Sequence, residues 1–169
     1  MSILGIRVTP SKITCAHLDD NNLSIFCYET PAVFTYKQKV RRMNATKYHT
    51  AECISYFVEI VNNLVKQLSI SGIMIKKTES STFRQSGITD SARQHLYLEG
   101  ALLSLGATSS IPCNGCYYQE HSCVGIDLFD TDLNNVVNQL NLNCNDLATY
   151  GNDKHAGEAA FSAYIMREM

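Results

Sequence analysis

Three short strand-like runs open this chain, and the turns between them are too tight for a crossover. That restricts the fold to one built on an antiparallel meander. The first run, Ile3-Leu4-Gly5-Ile6-Arg7-Val8, is apolar and β-branched, as a buried central strand is. Thr9-Pro10-Ser11 turns the chain into a second run over 12–19. Asp20-Asn21-Asn22 turns it into a third over 23–30, and Pro31 closes the unit.

Residues 34–49 lack a regular pattern and carry a basic cluster. Ile54, Phe57, Val58, Val61, Leu64, Val65 and Leu68 then recur at helical spacing, so a helix over 50–68 buries one stripe, with Thr50 as its expected N-cap. Gly72-Ile73-Met74-Ile75-Lys76-Lys77 predicts a buried strand ending in two cations. A polar loop over 78–87 leads to a helix over 89–105, with Gly106 as its stop. A short fifth strand is expected from 110–112, cysteines crowd 113–123, and helices are expected over 127–140 and 154–167. The Asn- and Asp-rich stretch 141–151 reads as a loop. A meander followed by βα units gives an α/β fold: a mixed five-stranded sheet with helices on both faces. Without a repeat or linker to divide it, 1–169 reads as a single domain.

The formal net charge of -2 gives no global pull toward nucleic acid, but the charge is uneven. Residues 37–49 hold Lys37, Lys39, Arg41, Arg42 and Lys47 without an acid, while the rest of the chain sets nine Lys and Arg against sixteen Asp and Glu. These five are candidate phosphate contacts, with Tyr36 and Tyr48 available to stack on bases; a solvated edge or a protein contact is the alternative. No apolar run reaches the roughly 18 residues of a membrane span. The N-terminus lacks an export-signal pattern and the seven cysteines read as free thiols, so a cytoplasmic protein is expected.

The run Ile3-Leu4-Gly5-Ile6-Arg7 resembles the opening strand of the RuvC-like branch of the ribonuclease H-like fold, where a magnesium-binding aspartate holds the place of Arg7. Ile73-Met74-Ile75-Lys76-Lys77 and Leu98-Glu99-Gly100-Ala101-Leu102 resemble that branch's fourth strand and following helix. In active members the strand ends in a catalytic glutamate; here the place falls at Lys76 or Lys77, and Glu79 lies beyond. Both segments are most similar to a family of small bacterial RuvC-like proteins that lack the full acid set. Asp153-Lys154-His155-Ala156-Gly157-Glu158-Ala159 is similar to the start of the last helix of RuvC resolvases, with His155 and Glu158 on one helix face. The resemblance implies a RuvC-like domain with a cleft at its strand ends, and pairing into a homodimer.

Two-metal hydrolysis needs a carboxylate cage. A guanidinium repels a divalent ion, by roughly 4 kcal/mol per pair of unit charges at about 4 Å and an effective dielectric near 20. The expectation is therefore a catalytically degenerate module that binds a nucleic acid or a protein, without a cofactor. Arg7, Lys76, Lys77, Asp153, His155 and Glu158 form its candidate cleft, read either as an anion site or as an internal ion pair of Arg7 or Lys76 with Glu158. One alternative is a magnesium-dependent nuclease with a rearranged acid set: Asp153, Glu158 and Glu79 or Asp19. Another is a zinc-stabilised adaptor, because Cys113, Cys116 and His121 begin like a zinc knuckle, with Cys123 or Cys144 as fourth ligand. A plain hairpin turning at Asn114-Gly115 competes with that zinc reading.

Overall fold

The computed structural model describes residues 1–40, 43–78, 90–116, 126, 128–129 and 131–169. The meander forms as its turns require: β1 (Ser2–Val8), β2 (Lys12–Asp19) and β3 (Asn22–Glu29) pair antiparallel, with Ile3 opposite Leu18 and Cys15 opposite Phe26. Residues read as irregular instead form a hairpin, β4 (Thr35–Val40) and β5 (Met43–Tyr48). Helix α1 (Thr50–Gln67) follows; its N-cap is His49, so Thr50 is already inside the helix. Then come β6 (Gly72–Lys76), α2 (Asp90–Leu103), α3 (Leu105–Ser109) and β7 (Cys113–Cys116). The chain continues through α4 (Leu133–Leu140), β8 (Asn143–Cys144), α5 (Leu147–Tyr150) and α6 (Lys154–Glu168).

The described residues make a mixed sheet in the order β7-β6-β1-β2-β3-β8, six strands where five were expected, with the β4–β5 hairpin separate. The sixth strand comes from the stretch read as a loop: Asn143 and Cys144 lie parallel to Asn22 and Leu23, and the Asp146 carboxylate accepts the Ile25 N–H at 2.8 Å. Gly106 is not the helix stop. It falls inside α3, and the left-handed residue that ends that helix is Ser110 at φ 57°. Asn114-Gly115 makes no turn either, because parallel pairing of β7 with Ile73 to Lys76 overrides the local signal. Helix α4 starts at Leu133, later than expected, where the Asp132 side chain accepts the Asn135 N–H.

Strand alternation sends side chains to two cores. Leu4, Ile6, Ile13, Cys15, Ile73 and Ile75 meet α1 and α2 through Phe57, Val61, Leu98 and Leu102. Ile3, Ala16, Leu18 and Met74 meet α4 and α6 on the other face. Helix α6 is buried nearly all round, which its small residues permit. At Gly5 the helix comes so near β1 that a Cβ would overlap the Ala159 carbonyl oxygen and lie 2.5 Å from the Ala163 nitrogen. On its far side, Gly157 lies against Thr131 and Asp132, with a Cβ position 2.8 Å from the Asp132 carbonyl carbon. The helix is thus held from both sides, and its N-terminal turn is fixed beside the sheet.

Candidate functional site

Strands β1 and β6 run parallel, so their C-terminal ends emerge together, and α2 and α6 close the same end. Arg7 reaches into this corner. Its Nε lies 2.8 Å from Glu158 Oε2, and its Nη1 lies 3.8 Å from Glu99 Oε1 and 3.5 Å from the Lys76 carbonyl. The buried Nε–H is not aligned on a hydrogen-bond acceptor, so the Glu158 contact is a close ion pair without that further alignment. Of the open readings, the internal ion pair is the one formed, and Arg7 is its cation.

Glu99 was read only as part of a resembling helix segment, yet it is central here. It is 3% exposed and accepts from both the Thr78 N–H at 2.9 Å and the Thr78 hydroxyl at 2.5 Å. Burial raises its carboxyl above the ordinary range against the opposing pull of Thr78 and Arg7. His95, one turn earlier on α2, lies with Nδ1 3.2 Å from the Thr78 hydroxyl. The legible signal was an acid and a histidine four apart, hence on one helix face, beside the core residues Leu98 and Leu102.

Lys76 lies at the same strand end, and its charge, like that of Arg7, acts on Glu99. Lys76 is 3% exposed, its Nζ donates to the Lys77 carbonyl at 2.9 Å, and it lies 4.8 Å from the centroid of the Phe129 ring. Lys77 continues past β6, its N–H donating to the Cys116 carbonyl. Asp153 caps α6 by accepting from the N–H groups of His155 and Ala156, and its other oxygen pairs with Lys12 Nζ at 2.8 Å. Burial alone would raise the Asp153 carboxyl, but Lys12 and the capping N–H groups outweigh it and hold it below the ordinary range. His155 is lowered by burial first, then by Lys12 and Arg7.

His95 is pushed down to about 4, by burial first and then by the positive fields of Arg7 and His155. A base with a depressed folded value binds fewer protons when folded. Its stabilising contribution is complete above the ordinary value of 6.5 and is lost as pH falls toward 4. Melting followed by circular dichroism is expected to show Tm falling through that window, with a flatter slope in His95→Gln. An identical slope in the variant would remove His95 from this account.

Among the described residues, the carboxylate cage that a magnesium site needs is not assembled. Among the described residues no three His, Cys, Asp or Glu side chains converge to hold a metal ion. Glu99 and Glu158 already flank Arg7, Asp153 is engaged by Lys12, and Asp19 pairs with Ser2 at the opposite end of the sheet. Glu79 lies outside the described residues. The zinc set is also divided. Cys113 packs toward α2, its thiol 3.7 Å from the Leu102 carbonyl, whereas Cys116 belongs to the opposite core beside Ser162. Three residues apart on a strand, the two thiols take opposite faces and cannot share one ion. His121 and Cys123 lie outside the described residues, and Cys144 sits at the far sheet edge in β8.

The basic hairpin stands beside this corner. A groove of about 270 Å³ runs between it and the sheet end, lined by Ser11, Thr46, Lys47, Gln94, His95 and His155 among others. Lys37 Nζ donates to Thr46 Oγ1 at 2.6 Å, which places it at the groove edge. Lys47 pairs across the hairpin with Tyr36, whereas Lys37 and Lys39 pair with Thr46 and Asn44. The lysines are therefore split between the hairpin's two faces. Arg41 and Arg42 lie outside the described residues.

This sheet order, with α6 packed at the paired ends of β1 and β6, is the RuvC-like form of the ribonuclease H-like fold. T. thermophilus RuvC in complex with a Holliday junction substrate superposes with a TM-score of 0.65 at 11% identity, covering 99% of this chain and 93% of that one. The yeast mitochondrial Holliday junction resolvase Ydc2 gives 0.59 at 11% identity, covering 98% of this chain and 78% of that one. Thermus thermophilus RuvC alone gives 0.58 at 10% identity, covering 99% and 94%. No family model matches the sequence, and no curated protein matches it. Among the described residues, no helix is long and apolar enough to cross a membrane.

Proposed function

We propose that this chain is a RuvC-like module that binds nucleic acid and has lost metal-dependent hydrolysis. The observation that carries the reading is Arg7, whose guanidinium lies between Glu99 and Glu158 at the strand ends. A permanent cation there supplies the positive charge that a hydrolase would draw from bound metal, but it polarises no water and generates no nucleophile. Binding needs less. Among the described residues, the groove beside the corner is lined by Lys47 and by no acid, and the hairpin adds Lys37 and Lys39. The RuvC neighbour in complex with a Holliday junction substrate supports nucleic acid as the ligand class.

The test measures binding and cleavage of structured and single-stranded DNA and RNA. Affinity is expected to fall steeply with salt. Reversing Lys37, Lys39 and Lys47 to Glu should weaken binding by more than about tenfold and reduce the salt slope by about two. Magnesium is expected to produce no cleavage. Robust magnesium-dependent cleavage that disappears in Glu158→Ala overturns the proposal.

A further inference from the structure

We infer that the groove between the β4–β5 hairpin and α2 takes a single nucleic-acid strand, with bases stacked on Tyr36 and Tyr97 and phosphates held by Lys47 and Arg93. This rests on the nucleic-acid reading above and narrows it to one class of ligand. The groove, of about 250 Å³, is lined by Tyr36, Gln38, Lys47, Arg93, Gln94 and Tyr97 among others. Among the described residues its lining contains no acid.

Tyr36 and Lys47 are direct cross-strand partners, so they share one hairpin face. Arg93 and Tyr97 are four apart on α2, so they share one helix face. Each side of the groove thus carries one aromatic ring and one cation. The rings are not core residues: Tyr36 is 44% exposed and Tyr97 58%. Tyr36 is backed by His49, with ring centroids 4.9 Å apart, which steadies one side of the phenol. The two walls are also tied together. Gln94 Nε2 donates to the Tyr48 carbonyl and to Thr50 Oγ1, each at 3.2 Å, so hairpin and helix form a preset channel.

A duplex hides its base faces inside the stack, whereas an unpaired strand offers them to aromatic rings with little regard to sequence. Exposed rings alternating with cations therefore suit an unpaired strand. The path does not end at Tyr36. Lys47 and Gln94 also line the neighbouring groove, which leads past His95 and His155 to the Arg7 corner. Several nucleotides can be tracked along these two grooves.

The experiment is fluorescence anisotropy with labelled oligothymidylate and oligouridylate of about fifteen nucleotides and a duplex of equal length. The single strands are expected to bind at least about tenfold more tightly than the duplex. Tyr97→Ala and Tyr36→Ala should each weaken them by about tenfold with little effect on duplex binding, while Tyr97→Phe, which keeps the ring, stays near wild type. The two single-stranded arms separate DNA from RNA preference. Duplex binding equal to or tighter than single-strand binding, or Tyr→Ala variants that bind as wild type, overturns this inference and leaves the nucleic-acid reading in place. Absence of binding to all three probes overturns this inference, and the same result with a four-way junction overturns the nucleic-acid reading as well. Tyr97 is exposed enough for its variant to fold, and an unchanged circular dichroism melt verifies that.

Discussion

Gly5→Ala is expected to lower Tm by about 6–12 °C or leave the chain insoluble. The added methyl would collide with the Ala159 carbonyl oxygen and the Ala163 backbone, which cannot rotate away as a side chain could. Retreat of α6 is blocked on its other side by the Gly157 contact with Thr131 and Asp132. Overpacking of this kind costs about 3 kcal/mol or more, and each kcal/mol moves Tm by roughly 2–4 °C in a chain of this size. Gly100→Ala is the matched control: it is exposed on α2, and a Cβ there meets nothing within 4 Å. That change is expected to be neutral or stabilising by up to about 1 kcal/mol. Thermal melts of the pair, with Gly5→Ala within about 2 °C of wild type, would show that the packing of α6 on β1 is looser than described.

Arg7→Ala should destabilise the fold by about 3–5 kcal/mol, because it strands two partly or fully buried carboxylates at one strand end. The loss has a pH signature. Burial already raises Glu99, and removing Arg7 removes one of the charges that hold it down. An acid raised in the folded state favours folding as it takes up a proton, so the deficit is greatest well above the ordinary value of 4.5 and shrinks as pH falls toward it. Urea denaturation near pH 5 and near pH 7.5 measures this. Adding Glu99→Gln and Glu158→Gln to Arg7→Ala should recover much of the stability at the higher pH, since neutral amides need no counter-charge. A deficit identical at both pH values, untouched by the added amides, would mean that Arg7 acts through packing alone.

The parts of the fold that were readable from sequence are those whose local and long-range preferences agree. The meander, β6 and α1 each pair a clear periodicity with a matching place in the core. The hairpin was missed because Thr35–Val40 and Met43–Tyr48 are largely polar and pair mainly with each other, so neither run carries an alternating apolar face. β7 forms a few residues later than the expected 110–112, because Asn114-Gly115 favours a turn in isolation and only the neighbouring β6 makes it a strand. At the corner, the meeting of Arg7 with Glu158 followed from the resemblance. Glu99 did not, because its partner Thr78 lies beyond a strand end and only the tertiary fold brings the two together.

The sheet face bearing Ile3, Ala16, Leu18 and Met74 is covered by Lys154–Glu168, a segment distant in sequence from all four. That face stays bare until the helix docks on it. Its burial closes a long stretch of chain, which slows folding and leaves an unhelixed intermediate with an exposed apolar sheet face.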